Sequence, residues 1–200
     1  MSHHPIVTIW RSIETRLRAL GPELVHRLGP GLTASEIALF ERELAVALPG
    51  DYVASLREHA GSLTAVSATG SPFARMLFTD FILLPPAVVL AQRAWLTKGY
   101  KRGALPTARI PDGIQRAHYH EGWIPVVAGD EDRATYLCLD TCPASGGQAG
   151  QIVSFATNDI DRWIAAPSFG DLLQGFLTRL ETAEIDEEML ADDGLISLSD

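Results

Sequence analysis

The sequence predicts an α+β fold: a single domain with a mixed, mostly antiparallel sheet and helices packed on it. Three observations predict it. Apolar residues recur at helical spacing through the first third of the chain, and runs typical of strands, split by short turn-forming stretches, fill residues 123–155. Helical spacing then returns after Pro167. Helices, a strand, a helix, a meander and a last helix, in that order, fit helices laid on a sheet. Two hundred residues suffice for one real core, and 46% hydrophobic with 20% charged residues is ordinary for a globular chain.

The first helix is expected to start near Pro5, where Trp10, Ile13, Leu17 and Leu20 recur at spacings of three and four. Gly21-Pro22 and Gly29–Gly31 break the chain. Thr33 and Glu36 then form a capping-box pattern, ahead of a buried stripe of Ile37, Phe40, Leu44 and Leu48. Pro49 suits the first position of another helix, where its missing N–H costs nothing. Asp51 suits that helix's positive end, and Gly61 is read as its stop. Residues 81–84 form a short apolar strand, and Pro86 opens a helix. Residues 97–121, basic and broken by Gly and Pro, are read as a long loop.

Strands are expected at Trp123–Ala128 and Ala134–Asp140, with Gly129–Arg133 as the hairpin turn, and at Gln151–Phe155 after a Gly-rich connection. The last helix carries Ser168 and Asp171 as a second capping pair and presents Phe169, Leu172, Phe176 and Leu180. Residues 1–28 are read as a helical extension packed on the domain, 29–182 as the domain and 183–200 as an acidic tail.

The net charge of −9 is unevenly placed. Residues 181–200 hold eight acids and no Lys or Arg, so the preceding body is close to neutral. No basic patch predicts direct nucleic-acid binding. No apolar run approaches the roughly 20 residues that cross a bilayer. The opening residues lack a signal-peptide pattern, and two cysteines make no disulfide framework, so a reducing cytoplasm is expected.

Four groupings were weighed for chemistry. Asp130, Glu131 and Asp132 have the right atoms for a hard cation but lack the rhythm and the distal Glu of a calcium loop. They are read as a solvated turn. His118, His120, Cys138 and Cys142 are zinc-ligand types, yet the cysteines lack knuckle spacing and Cys138 sits mid-strand. Ser168 stands in a helix cap rather than a nucleophile elbow, and His59 near a helix end is read as packed. The glycines around 146–150 lack a Walker Lys. No catalytic, cofactor or metal residues are assigned.

Taken in order, "LTASEIALFERELAVALPGDYVASLREHAG", "FILLPP", "GWIPVVAGDEDRATYLCLDTCP", "GGQAGQIVSF" and "APSFGDLLQGFL" resemble the SUKH superfamily, specifically its Smi/Knr-type domain. The resemblance covers roughly residues 30–180. It places the family's recurring positions on Glu41, Leu48, Pro49, Gly61, Trp123, Pro125, Leu139, Asp140, Gly150, Gln151, Pro167, Ser168 and Phe169, and implies that these are structural. Two positions depart from the pattern: Ala60 stands where a small acid or amide is usual, and the hairpin turn is acidic rather than glycine-rich.

The resemblance implies a binding scaffold without cofactors rather than an enzyme. Bacterial members are similar to immunity proteins that neutralise a cognate toxin, often a nuclease; other members look like adaptors in cell-wall control. The leading expectation is an immunity protein whose surface acids Asp130, Glu131 and Asp132 meet a basic toxin domain. The alternatives are an adaptor or regulatory protein in cell-wall or envelope assembly and, after it, a metal-dependent enzyme with a site around His118, His120 and Cys138.

Overall fold

The computed structural model describes residues 6–22, 24–62, 82–100, 109–128 and 135–182, together with the main chain of 64–66 and 72–74. Helix α1 (Ile6–Leu20) buries Trp10, Ile13 and Leu17 completely. Ile6 and Ile9 join them, whereas Leu20 is only partly buried. The Trp10 indole N–H donates to Ser55 Oγ at 2.9 Å, which satisfies a polar atom that burial would otherwise strand. A 3-10 turn at Leu24–Arg27 follows.

Helix α2 (Ala34–Leu44) starts at the expected capping box. Thr33 Oγ1 accepts from the Glu36 amide at 3.3 Å, and the Thr33 amide donates to Glu36 Oε2 at 2.8 Å. Thr33→Ala removes one half of this exchange and is expected to cost about 1 kcal/mol, read from the midpoint of chemical denaturation. Ile37, Phe40 and Leu44 are buried as the spacing predicts. Leu48 is buried too, but in the loop beyond the helix, because Ala45 turns left-handed at φ 54°.

Helix α3 (Gly50–Glu58) differs from expectation at both ends. Pro49 is the N-cap rather than the first helical residue; its ψ of 143° is still extended. The helix stops at Glu58, with His59 extended, so Gly61 does not terminate it. Gly61 answers to a different demand. Its φ is +111°, and a Cβ there would lie 2.6 Å from Pro85 N, so only glycine permits this crossing of the two segments.

Strands β1 (Thr64–Val66) and β2 (Pro72–Ala74) pair antiparallel as a small separate sheet. Strand β3 (Ile82–Leu83) then enters the main sheet, and helix α4 (Pro86–Tyr100) follows. The long loop expected from residue 97 therefore begins four residues too early. Leu96 is wholly buried and Tyr100 packs on aromatic rings, so tertiary contacts hold the last turn despite Gly99.

Strands β4 (Trp123–Ala128), β5 (Thr135–Asp140) and β6 (Ile152–Ala156) form the predicted meander. Strand β7 (Ile164–Ala166), not anticipated, extends it, and helix α5 (Phe169–Thr182) closes the described chain. The five-stranded sheet runs β3-β4-β5-β6-β7, each pair antiparallel. Helix α5 buries Leu173 and Leu177 beside Phe169, Phe176 and Leu180, while Leu172 is half-buried. Helix α1 packs against α3 and α5, so its Trp10 stripe shares one core with the sheet.

Candidate functional site

Several family-motif positions lie close together at the end of the sheet where Trp123 pairs with Asp140, while Gly61 lies towards the other end, against Pro85. Glu41 Oε1 accepts from the Leu48 amide at 2.8 Å, which fixes the loop leading to Pro49. Gly150 (φ +92°) passes under the Pro49 ring, leaving a hypothetical Cβ only 3.2 Å from it. The Gly150 amide donates to the Asp140 carbonyl at 2.8 Å. Asp140 itself is fully buried. Its Oδ1 accepts from the Cys142 amide at 3.0 Å and its Oδ2 from Gln151 Nε2 at 2.9 Å. Gln151 Nε2 also donates to the Gly113 carbonyl at 2.9 Å, and its Oε1 accepts from the Gln148 amide at 3.1 Å.

Burial pushes the Asp140 carboxyl above the ordinary aspartate range. Gln151, the Cys142 amide, His120 and Trp123 pull the other way. This carboxylate fixes the loop at 141–151, and Gln151 carries the link on to the Gly113 carbonyl. Its hydrogen bonds are spent inside the protein.

The next motif ties α5 to α3. Ser168 Oγ accepts from the Asp171 amide at 3.1 Å and donates to Asp171 Oδ2 at 2.7 Å, a reciprocal cap. Asp51 Oδ2, from the first turn of α3, accepts from the Gly170 amide at 2.9 Å. Phe169 is fully buried and meets Tyr52 edge-on at 4.8 Å. Ser168 thus serves a helix terminus, as its sequence context suggests, with an Asp rather than a base as its partner.

The zinc-type residues do not converge. Among the described residues no group of three or more His, Cys, Asp or Glu could hold a metal ion. Cys138 is wholly buried in β5, where burial raises its thiol far above the ordinary range, and Cys142 is exposed on a loop. The His120 ring accepts from the Gly122 amide at 3.1 Å. His118 stacks on Tyr100 with ring centres 5.4 Å apart. His59 lies between α1 and the loop that leads into α2, 3.0 Å from both Glu14 Oε1 and the Gly29 carbonyl, with Trp10 edge-on to its ring.

Tyr136 and Cys138 share a sheet face with Phe155 and Val153, by register. An aromatic layer covers it: Tyr100, His118 and Tyr119 all lie within 6.1 Å of the Phe155 ring, and Tyr119 donates its hydroxyl to the Trp123 carbonyl. Into this layer projects Arg162, only 2% exposed, with its guanidinium 4.8 Å from the Phe155 ring centre. It donates to the carbonyls of Asp159 (2.9 Å), Asp161 (2.6 Å) and His118 (2.7 Å). Sequence reasoning missed Arg162, because one Arg in "NDIDRW" reads as surface until the register is known.

Asp130, Glu131 and Asp132, the acids expected to meet a partner, lie outside the described residues, as does the acidic segment 183–200. Among the described residues the exposed large apolar side chains are Leu39, Trp95, Ile160, Trp163 and Ile164. Three of the five fall in residues 160–164, just before and at the start of β7. The sequence signal for this is the four-residue apolar run Trp163–Ala166 between Arg162 and Pro167. An open groove of about 480 Å³ also runs along α1, with Arg11, Arg16 and Glu181 on its wall.

The family model described as the SMI1 / KNR4 family (SUKH-1) matches residues 31–175. The chain is 24% identical over 205 residues to the cell wall assembly regulator SMI1 of Saccharomyces cerevisiae, covering 86% of this chain and 40% of that protein. It is 25% identical over 198 residues to a glucan synthesis regulatory protein of Neurospora crassa, covering 84% and 37%. It is 26% identical over 182 residues to the cell wall biosynthesis/cell cycle regulator smi1 of Schizosaccharomyces pombe, covering 84% and 35%. The chain therefore spans well under half the length of these relatives.

Proposed function

Because the chain belongs to the SMI1/KNR4 (SUKH-1) family, we propose that it is a protein-binding regulatory domain, without catalytic activity of its own, acting in cell-wall or envelope assembly. The observation that carries this reading is the alignment, over more than four fifths of the chain, with proteins named as regulators of wall or glucan synthesis. The geometry supports it. Asp140, Gln151 and Ser168 direct their side-chain polar atoms to internal bonds, and the Arg162 guanidinium binds three carbonyls, which favours surface over a reactive cleft as the working part.

The immunity reading is kept as the second one, carried by the charge. A chain at −9 steers towards basic partners, and nuclease domains are commonly basic. The two readings separate in the cell. Deleting the gene is expected to slow growth under wall-active stress without any toxin challenge. Unchanged growth, with protection against a co-expressed toxin domain from a neighbouring gene, overturns the regulatory reading and assigns the immunity role.

A further inference from the structure

Helices α1 and α5 lie side by side and run in the same direction. A Cβ placed on Gly170, at the start of α5, would lie 3.3 Å from Ile6 Cδ1, and Arg16 Nε, further along α1, donates to the Leu180 carbonyl at 3.0 Å. The groove along α1 therefore opens where α5 ends, and Glu181 forms part of its wall. The rest of the wall is α1 itself, with Arg11 and Arg16 among Thr8, Ser12 and Thr15. Thr15 donates its hydroxyl to the Arg11 carbonyl at 2.7 Å, which leaves Thr8 and Ser12 as the hydroxyl donors towards the groove. Its charge is positive, with two guanidiniums against one carboxylate.

Arg11 is exposed, and among the described residues no acid or carbonyl meets its guanidinium. The neighbouring Arg18 is already paired with Glu14 at 2.6 Å. The chain that leaves α5 beside this groove reads "AEIDEEM" over residues 183–189, with four acids and no Lys or Arg. Carboxylates are unfavourable at the negative end of a helix dipole, so these acids gain by leaving the axis of α5 for a cation. The distances suit a return. Arg11 lies about 7–8 Å back along α1 from Arg16, at the helical rise per residue. An extended chain covers about 3.3 Å per residue, so after a turn of about three residues the run Asp186–Glu188 spans both guanidiniums.

We propose that the segment following α5, residues 184–189, folds back into the α1 groove of its own chain, with Asp186, Glu187 and Glu188 against Arg11 and Arg16. The proposal goes beyond the regulatory reading and stands whichever of the two readings above holds. The occupant is fixed by continuity. A segment tethered a few residues from the groove is present there at an effective concentration in the millimolar range, which no free anion or separate protein matches at ordinary levels. Exposed ion pairs are individually weak and are screened beyond about 8 Å at physiological salt, so the tether is what makes several of them sufficient. Ile185 and Met189 in the same segment match the aliphatic stems of the two arginines and Ala19 on the groove wall. The groove is thus covered by its own chain, and an acidic segment of another protein gains it only by displacement.

The test follows amide resonances of the full chain between low salt and about 0.5 M salt, where screening is strong. Resonances of residues 184–189 and of 8–16 are expected to move together as salt rises. At low salt, Arg11→Glu is expected to bring the 184–189 resonances to their high-salt positions. Neutralising the run, with Asp186→Asn, Glu187→Gln and Glu188→Gln, is expected to do the same for 8–16. The two sets of changes lie outside the core, so the thermal midpoint stays nearly unchanged, and combining them adds little to either alone. Resonances of 184–189 that ignore Arg11→Glu overturn the proposal, even if salt moves them, because the contact then lies elsewhere. Low-salt positions that depend on protein concentration overturn it too, and assign the segment to the groove of a second copy.

Discussion

Asp140→Asn is expected to destabilise the protein by about 2–3 kcal/mol, although the two side chains are nearly identical in size. Both Asp140 oxygens face donors: the Cys142 amide at 3.0 Å and Gln151 Nε2 at 2.9 Å. An asparagine offers one oxygen and one NH₂, so in either orientation a donor meets a donor. Gln151 cannot turn to relieve this. Its Nε2 is held by the Gly113 carbonyl and its Oε1 by the Gln148 amide. Urea denaturation at neutral pH measures the loss; a variant within about 0.5 kcal/mol of the parent shows that the corner does not depend on the carboxylate.

The same residue predicts a pH dependence of defined sign. The folded-state pKa of Asp140 lies above its ordinary value of 3.8, with burial as the leading cause. Between those two values the folded state binds more protons than the unfolded one. Asp140's own contribution to stability therefore falls as pH rises through that window. Asp140→Asn removes this titration, so the slope of stability against pH in that window is expected to be absent from the variant. A difference that is flat across the window contradicts the assignment.

Phe169→Ala is expected to cost about 3–5 kcal/mol, the range for deleting a buried ring and leaving its cavity. Phe169 is wholly buried at the first turn of α5 and packs edge-on against Tyr52 of α3 at 4.8 Å. The neighbouring bond from the Gly170 amide to Asp51 Oδ2 holds the two helix ends together, so the cavity cannot close by sliding α5. Phe169→Leu keeps most of the volume and is expected to lose less than half as much. Thermal unfolding of both variants checks the ratio; equal losses from Leu and Ala point to the ring contact rather than the volume.

These two residues also show how legible the protein was. Asp140 and Phe169 were both marked by family resemblance, and the helix cap beside Phe169 was readable from Ser168 and Asp171 alone, because capping is a local exchange between residues three apart. The partners of Asp140 were only partly readable in that way. The Cys142 amide, two residues on, is the local contact an aspartate at a strand end makes with the next turn, but Gln151 is 11 residues away and is itself anchored on the Gly113 carbonyl, which only the crossing of the loops provides. Leu173 and Leu177 turned inward instead of Leu172 for a similar reason. A helix rich in leucine offers more than one apolar stripe, and the surface it packs on selects among them.

Taken by itself, the sequence determined the α+β class, the capping boxes, the meander at residues 123–156 and the family, because each rests on short-range spacing or on ordered motifs. Tertiary structure alone decided that α4 runs through Tyr100, that Gly61 serves a chain crossing rather than a helix stop, that Arg162 is buried among carbonyls, and that β7 extends the sheet at one end. Each of these depends on which distant segment lies opposite, and local periodicity carries no record of that.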